Sequence, residues 1–446
     1  MTDLAQITEA MLDAARKAGA ESADALVVQG TSLSIDIRAG ALEQAERAEG
    51  IELGLRVLIG GRQACVSVSD TSARTLSDMA ERAVAMAREA PEDPYAGLAD
   101  PAQIARDWDI SAYDLVDQGP EPSAEALERA ARAVEAAALA HKGITQVQAS
   151  AGYGRRQMYL AASNGFAGGY ARSALSQSAV AFTGEGTAME RDYAGESRVY
   201  AADMPKPESI GALAAERALA RAGARKPATG SFPVLFDERI SQSLIGHLLS
   251  AINGASIARG SSWLRDALGQ QVLPKGFDLI EDPHRPRISG SRPFDAEGLP
   301  TQRRLVVENG VLTGWTLDLA TARKLGLQST ANAARGTTAP PSPATSNIDL
   351  TPGTASRKQL LGQMGTGLLV TSLIGSTINP TTGAYSRGAS GFWVEDGEIA
   401  YPVNECTIAG SLPEMLRDFV AANDARPHLA TRVPSILIEG MTLAGK

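Results

Sequence analysis

The chain has 446 residues, 44% hydrophobic and 21% charged, with a formal net charge of -9 and an isoelectric point near 5.2. That length accommodates two or three domains at about 150 residues each, and the composition is that of an ordinary globular protein with a sizeable core. The acidic balance and the lack of any clustered Lys/Arg run argue against a dedicated nucleic-acid surface, and no stretch approaches the roughly 18 consecutive apolar residues of a membrane span.

The N-terminal stretch MTDLAQITEAMLDAARKAG mixes acidic with apolar residues and has no basic segment ahead of an uninterrupted apolar core. It does not read as a signal peptide, so the cytoplasm is the expected location. Leu4, Ile7, Met11, Leu12 and Ala15 mark an amphipathic helix closed by Gly19. Strand-like segments follow at 25–28, 32–38, 41–48, 51–59 and 63–68, with Gly30, Gly40, Gly50 and Gly60-Gly61 between them. Such short connections predict an antiparallel meander. A second helix over 73–89 carries Leu76, Met79, Ala80, Ala83, Val84 and Ala87 on one side. Residues 1–90 thus form an α+β unit.

The passage 91–122 holds PEDPYAGLADP and QGPEP and reads as a linker or surface excursion. Over 123–225 the same grammar returns: an alanine-rich helix at 124–140, strands at 146–153, 157–162 and 170–182, and a helix at 208–222. Asn164-Gly165, between two of these strands, is a strong hairpin signal. The fold class is α+β, with helix, antiparallel meander and helix occurring twice before a strand-rich C-terminal domain at 230–446.

That last domain opens with an apolar run at 232–236, followed by Ile240, Leu244, Ile245, Leu248, Leu249 and Ile252 at helical spacing. His247 lies within this helix, but one turn back stand Gln242 and Ser243, neither a good zinc ligand nor a general base. Turns at Asn309-Gly310 and Asp396-Gly397 predict two tight hairpins. The small, polar, Pro-rich stretch 329–353 reads as a functional or mobile loop. A helix at 357–364, a strand at 367–373, a helix at 408–422 and a strand at 435–443 complete the chain.

No catalytic constellation is visible from residue types alone. Gly388-Ala389-Ser390-Gly391 approaches the G-x-S-x-G turn of serine hydrolases without matching it. Gly152-Tyr153-Gly154 lacks the remainder of a dinucleotide fingerprint. His141, His284 and His428 read as surface residues, and Cys65 and Cys406 as buried free thiols.

Longer motifs carry a resemblance. LIGHLLSAINGASIARGSSWL, PFDAEGLPTQRR, ARKLGLQST, MGTGLLVTSLIG and YSRGASGFWVEDGEIAYPVNECTIAG occur in that order, and through them the chain resembles the TldD/PmbA family, specifically its PmbA (TldE) branch. The resemblance implies a subunit of a cytoplasmic heterodimeric zinc metallopeptidase that processes peptides and unfolded precursors. In the TldD-type subunit an H-E-x-x-x-H helix and a later cysteine hold the zinc. Here that motif falls on Gln242, Ser243 and His247, and ARPHLATRVPSILIEG supplies no late cysteine. The resemblance therefore implies a zinc-free chain with no catalytic residues of its own, paired with a TldD-like subunit, or with a second copy when alone. An extended peptide is the expected ligand, with Ser386, Arg387, Gly388 and Gly391 as candidate peptide or partner contacts through strand addition. Two alternatives stand beside this reading. One is a protein-binding regulator of the kind labelled modulator of DNA gyrase; the other is an independent metallopeptidase using His247 with His284, His428 or Cys406.

Overall fold

The computed structural model describes residues 3–445. Its N-terminal half contains helices α1 Leu4–Ala18, α2 Ala73–Glu89, α3 Ala124–Leu139 and α4 Pro207–Ala220, and strands β1 Ser22–Arg38, β2 Ala41–Ile59, β3 Arg62–Val68, β4 Ile144–Ala162, β5 Ala167–Thr183 and β6 Glu190–Arg198. The six strands form one antiparallel sheet in the order β3-β2-β1-β4-β5-β6. The two helix–meander–helix stretches therefore share a single sheet through the β1–β4 pairing.

Alternation decides which side of this sheet is covered. Ala23, Ala25 and Val27 of β1 pack with α1 and α2, and Leu33, Ile35 and Ile37 continue the same face under α3. Farther across, α3 and α4 cover Val147, Ala149, Ala179, Ala181 and Ala194. The opposite face carries Leu26, Val28, Leu160 and Tyr170, which meet Tyr113, Leu115, Phe294 and Leu299.

Sequence and structure differ at several places in this half. Gly30 and Gly50 do not turn the chain: they face each other in the middle of one long β1–β2 hairpin, without the positive φ a turn requires. Extended glycine is invisible to a reading that treats glycine as punctuation. The strand β6 was missed because ERDYAGESR has too little apolar alternation to announce itself. The 91–122 passage is packed in place, with Ala99, Ile104, Ala105, Tyr113 and Leu115 all buried against the sheet.

The C-terminal half begins with strand β7 Gly230–Phe236 and helices α5 Glu238–Ala251 and α6 Gly254–Ala258. Strands β8 Leu279–Glu281, β9 Arg304–Glu308 and β10 Val311–Leu312, helix α7 Leu319–Leu325, and strands β11 Ala333–Ala334, β12 Ser342–Pro343 and β13 Ile348–Leu350 follow. Then come α8 Arg357–Met364, β14 Gly367–Ile378, β15 Ala384–Glu395, β16 Glu398–Ser411, α9 Leu412–Arg417, β17 Phe419–Ala421, β18 Thr431–Arg432 and β19 Ile436–Ala444. Both expected hairpins form, with Asn309 at φ 46° and Gly310 at 82°, and Asp396 at 51° and Gly397 at 79°. The main sheet runs β16-β15-β14-β7-β19-β17, and β16 also pairs with β19, closing five of its strands into a ring. No helix among the described residues is long and apolar enough to cross a membrane.

The expected helix at 408–422 shrinks to Leu412–Arg417, between β16 and β17, and stretch 329–353 is also corrected. It is held tightly, threading into the N-terminal sheet. The Arg335 side chain, fully buried, ion-pairs with Asp24, which Arg56 grips from the other side at 2.8 Å. Thr337 donates to Glu52 at 3.1 Å, and its carbonyl lies so close over Gly54 that a Cβ there would sit 2.4 Å from it. Small polar residues, read from sequence as loop, here satisfy a buried network.

Beside this junction Glu297 is buried next to Asp295 and Asp318, and it accepts the Leu319 N–H at 2.8 Å. Burial, and then the charges of Asp295 and Asp318, raise its carboxyl well above the usual glutamate value. A raised acid favours folding below its ordinary value, and that contribution disappears as pH rises through the folded-state value. Glu297→Gln is thus expected to stabilise the chain at neutral pH by on the order of 1 kcal/mol and to flatten its stability above the glutamate range. Melts of the two proteins that run parallel across pH would contradict this.

Candidate functional site

Strand β7 and helix α5 make the strand–helix unit the sequence singled out. Asp237 caps α5 by accepting the Arg239 N–H at 3.1 Å, and its carboxylate also pairs with Arg239 and Arg357. Leu244, Ile245 and Leu248, all at 0% exposure, bury the helix against Phe236, Val370, Cys406 and Ile408 of the closed sheet. At roughly 1.5–3 kcal/mol per buried side chain, this contact fixes the helix firmly.

His247 sits beside that apolar face. Its ring meets Tyr385 edge-on, with centroids 5.9 Å apart and planes at 71°. Its Nε2 is buried without a hydrogen-bond partner. Burial, then the nearby Arg387 guanidinium, hold the imidazole below its ordinary value. Burial pushes the Tyr385 phenol up to about 12. Both groups are therefore neutral near pH 7. Arg387 itself is anchored by donating to the Gly375 carbonyl at 2.7 Å.

The other positions of the motif offer no help to a metal. Gln242 is exposed, and the Ser243 hydroxyl donates to the Ile240 carbonyl one turn back at 2.7 Å. A catalytic zinc wants about three protein ligands and an open position. Among the described residues no three His, Cys, Asp or Glu side chains converge in a metal-binding group. The residues at this site do not fit a zinc ion.

The remaining candidates are engaged elsewhere. His284 Nε2 lies 3.2 Å from the Thr301 hydroxyl, with its ring against Tyr113. His428 Nε2 lies 3.1 Å from a Glu196 carboxylate oxygen. Cys406 donates to the Ala389 carbonyl at 3.2 Å, and burial pushes its thiol up to about 11. Ser390 is buried and accepts from Arg221 at 2.8 Å, which removes it as an exposed nucleophile.

Ser386, Arg387, Gly388 and Gly391 lie on β15, which is paired with β14 on one side and β16 on the other. Their ladder positions are occupied, so no peptide can add beside them as a new strand; the half-exposed side chains of Ser386 and Arg387 are what remains for contact. Tyr385, the ring against His247, escaped the sequence reading although it opens a quoted motif. A contact spanning 138 residues leaves no local signal.

A test of the histidine follows from its lowered value. Its depressed folded-state value means that stability is present above the ordinary histidine range and lost as pH falls through the folded value. His247→Phe is expected to keep the fold at neutral pH and to shrink the stability lost on going from about pH 7.5 to 5.5. Denaturation midpoints at the two pH values check this, and an unchanged loss would show that His247 is already solvated.

Models of the PmbA/TldA metallopeptidase domains match the chain in three pieces: domain 1 over residues 23–87, the central domain over 107–222 and the C-terminal domain over 229–445. A protein called metalloprotease PmbA from Escherichia coli O157:H7 is 37% identical over 431 residues, 96% of this chain and 93% of that one. Among solved structures, a candidate modulator of DNA gyrase from Bacteroides thetaiotaomicron superposes with a TM-score of 0.92 at 28% identity, covering 99% and 98% of the two chains. TldE from Thermococcus kodakarensis shares the fold, with a TM-score of 0.84 at 19% identity over 98% of this chain and 100% of that one.

Proposed function

This chain belongs to the PmbA/TldD metallopeptidase family, on its PmbA side, and from that premise we propose that it is the zinc-free subunit of a cytoplasmic TldD/TldE-type peptidase. Its work is to complete an enclosed chamber with its partner and to help hold an extended peptide there, while a TldD-like chain, bearing H-E-x-x-x-H, supplies the metal and the water-activating glutamate. The observation that carries this reading is the state of α5. Where the zinc-holding subunit has two histidines and a glutamate, this helix has an exposed Gln242, a hydroxyl committed to a helical carbonyl, and one imidazole backed by Tyr385. Losing the glutamate also removes the base that would activate water.

The experiment is reconstitution. The purified chain is assayed on an unfolded peptide alone, with a TldD-type chain, and with a TldD-type chain whose motif glutamate is replaced. Turnover is expected only in the second mixture. Equal turnover by this chain alone would overturn the assignment. A role as a protein-binding regulator draws on the gyrase-modulator label of the Bacteroides relative, and it predicts no turnover in any mixture.

A further inference from the structure

A cavity with no residue of α5 in its lining opens on the N-terminal sheet. It is a cleft of about 840 Å³ lined by mid-strand residues of β1, β2, β4 and β5, with Leu115, Val199 and Ser289 along its wall. Gly30 and Ser32 of its floor continue the face of Leu26 and Val28, away from the helices.

The register orders this floor into two rows running across the strands. One row is Ala48, Ser32, Gly154 and Ala174; the other is Gly50, Gly30, Arg156 and Arg172. Glycine in a strand interior weakens the sheet and marks close approach of a ligand or another backbone. At Gly30 a Cβ would lie 3.3 Å from the Arg155 carbonyl, but at Gly50 and Gly154 space does not require glycine. A Cβ on Gly50 would meet nothing within 4 Å, and one on Gly154 only the Thr31 carbonyl at 3.9 Å. Neither has a positive φ.

The other end of the second row is charged. Arg156 and Arg172 stand directly opposite each other on β4 and β5, an arrangement that is unfavourable for like charges. Arg172 is held by the Ser289 and Ser291 carbonyls and the Tyr170 hydroxyl, none of which neutralises it. Arg156 is exposed and makes no ion pair among the described residues. The carboxylates that line the cleft, Glu49 and Glu52, lie on β2 at the far end of the floor from the two arginines; Glu49 is paired with Arg47, and Glu52 accepts from the Thr337 hydroxyl and keeps its charge. In a chain of net charge -9, two adjacent guanidiniums without an acid form a local anion site.

We propose that this cleft binds an extended acidic peptide segment, its backbone crossing the glycine floor and a carboxylate resting on Arg156 and Arg172. The span from β2 to β5 is three interstrand spacings, about 14 Å, which about four to five extended residues can cross. The peptide crosses the strands, so packing on bare backbone and the ion pair supply recognition, with no ladder to the sheet. This assigns a substrate class to the peptide-holding role proposed above and rests on that reading.

The test uses the full chain and fluorescein-labelled eight-residue peptides that differ only in carrying glutamate, glutamine or lysine. Anisotropy is expected to show the glutamate peptide binding at least tenfold tighter than the other two. Arg156→Glu is expected to abolish that preference, and Gly50→Val to weaken all three peptides, with the melting temperature lowered in neither variant, since one removes a like-charge pair and the other a strand-interior glycine. Equal binding of the three peptides, or insensitivity to both substitutions, overturns the proposal. Loss of TldD-type subunit pairing on Arg156→Glu in sedimentation, with peptide binding unchanged, overturns it in favour of the partner as occupant. If the reconstituted mixture never turns over peptide while the chain alone still selects the glutamate peptide, the peptidase reading fails and the cleft assignment stands.

Discussion

Replacing Asp24 by alanine is expected to destabilise the chain by about 3–5 kcal/mol, because it leaves Arg56 and Arg335 buried without their common partner. Asp24 is 3% exposed, and the side chains around it are as dry. Burial alone would raise its carboxyl, but the guanidiniums of Arg335 and Arg56 outweigh that and hold it below the usual aspartate value. The contribution is present above the ordinary value and is lost as pH falls through the folded one. Arg335 comes from the C-terminal half and Arg56 from β2, so the triad joins the two halves. The denaturant curve of Asp24→Ala is therefore expected to broaden or split, as the N-terminal sheet loosens from its cover. A single transition shifted by less than about 1 kcal/mol would mean that water reaches the triad and that the junction is held by apolar contact alone.

Gly391→Ala is expected to be almost as damaging, at about 3 kcal/mol or more. A Cβ at this position would lie 1.9 Å from the Leu369 carbonyl oxygen and 3.0 Å from the Thr371 nitrogen, both backbone atoms of the adjacent strand. No rotamer change can relieve that contact, so β14 and β15 must part. Gly388→Ala, whose Cβ would sit 3.3 Å from the Ile374 carbonyl, is the control and is expected to be mild. Urea midpoints of the two variants check the contrast. If Gly391→Ala folded normally and lost only peptide binding or subunit pairing, the glycine would be a contact residue after all.

These two cases show what the sequence could reveal. Paired turn residues such as Asn309-Gly310 and Asp396-Gly397 have a conformational requirement that few residues meet, so they were legible. The amphipathic helices were legible for the same kind of reason, since their buried faces repeat at a fixed spacing. Gly30, Gly50 and Gly154 were not, since their role depends on what lies across the sheet, whereas the close backbone approach at Gly391 could be expected from SRGASG. The tight hold on 329–353 comes from Asp24, Glu52, Asp295 and Glu281, all distant in sequence. At the candidate site, the motif positions Gln242, Ser243 and His247 could be read directly, whereas the Tyr385 ring and the Arg387 charge beside His247 needed the closed sheet to be seen.

The most direct test of the zinc-free role proposed for this chain is the zinc content of the protein purified alone, without a metal-binding tag, by plasma mass spectrometry. A zinc-to-protein ratio far below one, unchanged by His247→Ala, is expected. A ratio near one that falls with His247→Ala would contradict it and make this chain a metal-bearing subunit in its own right.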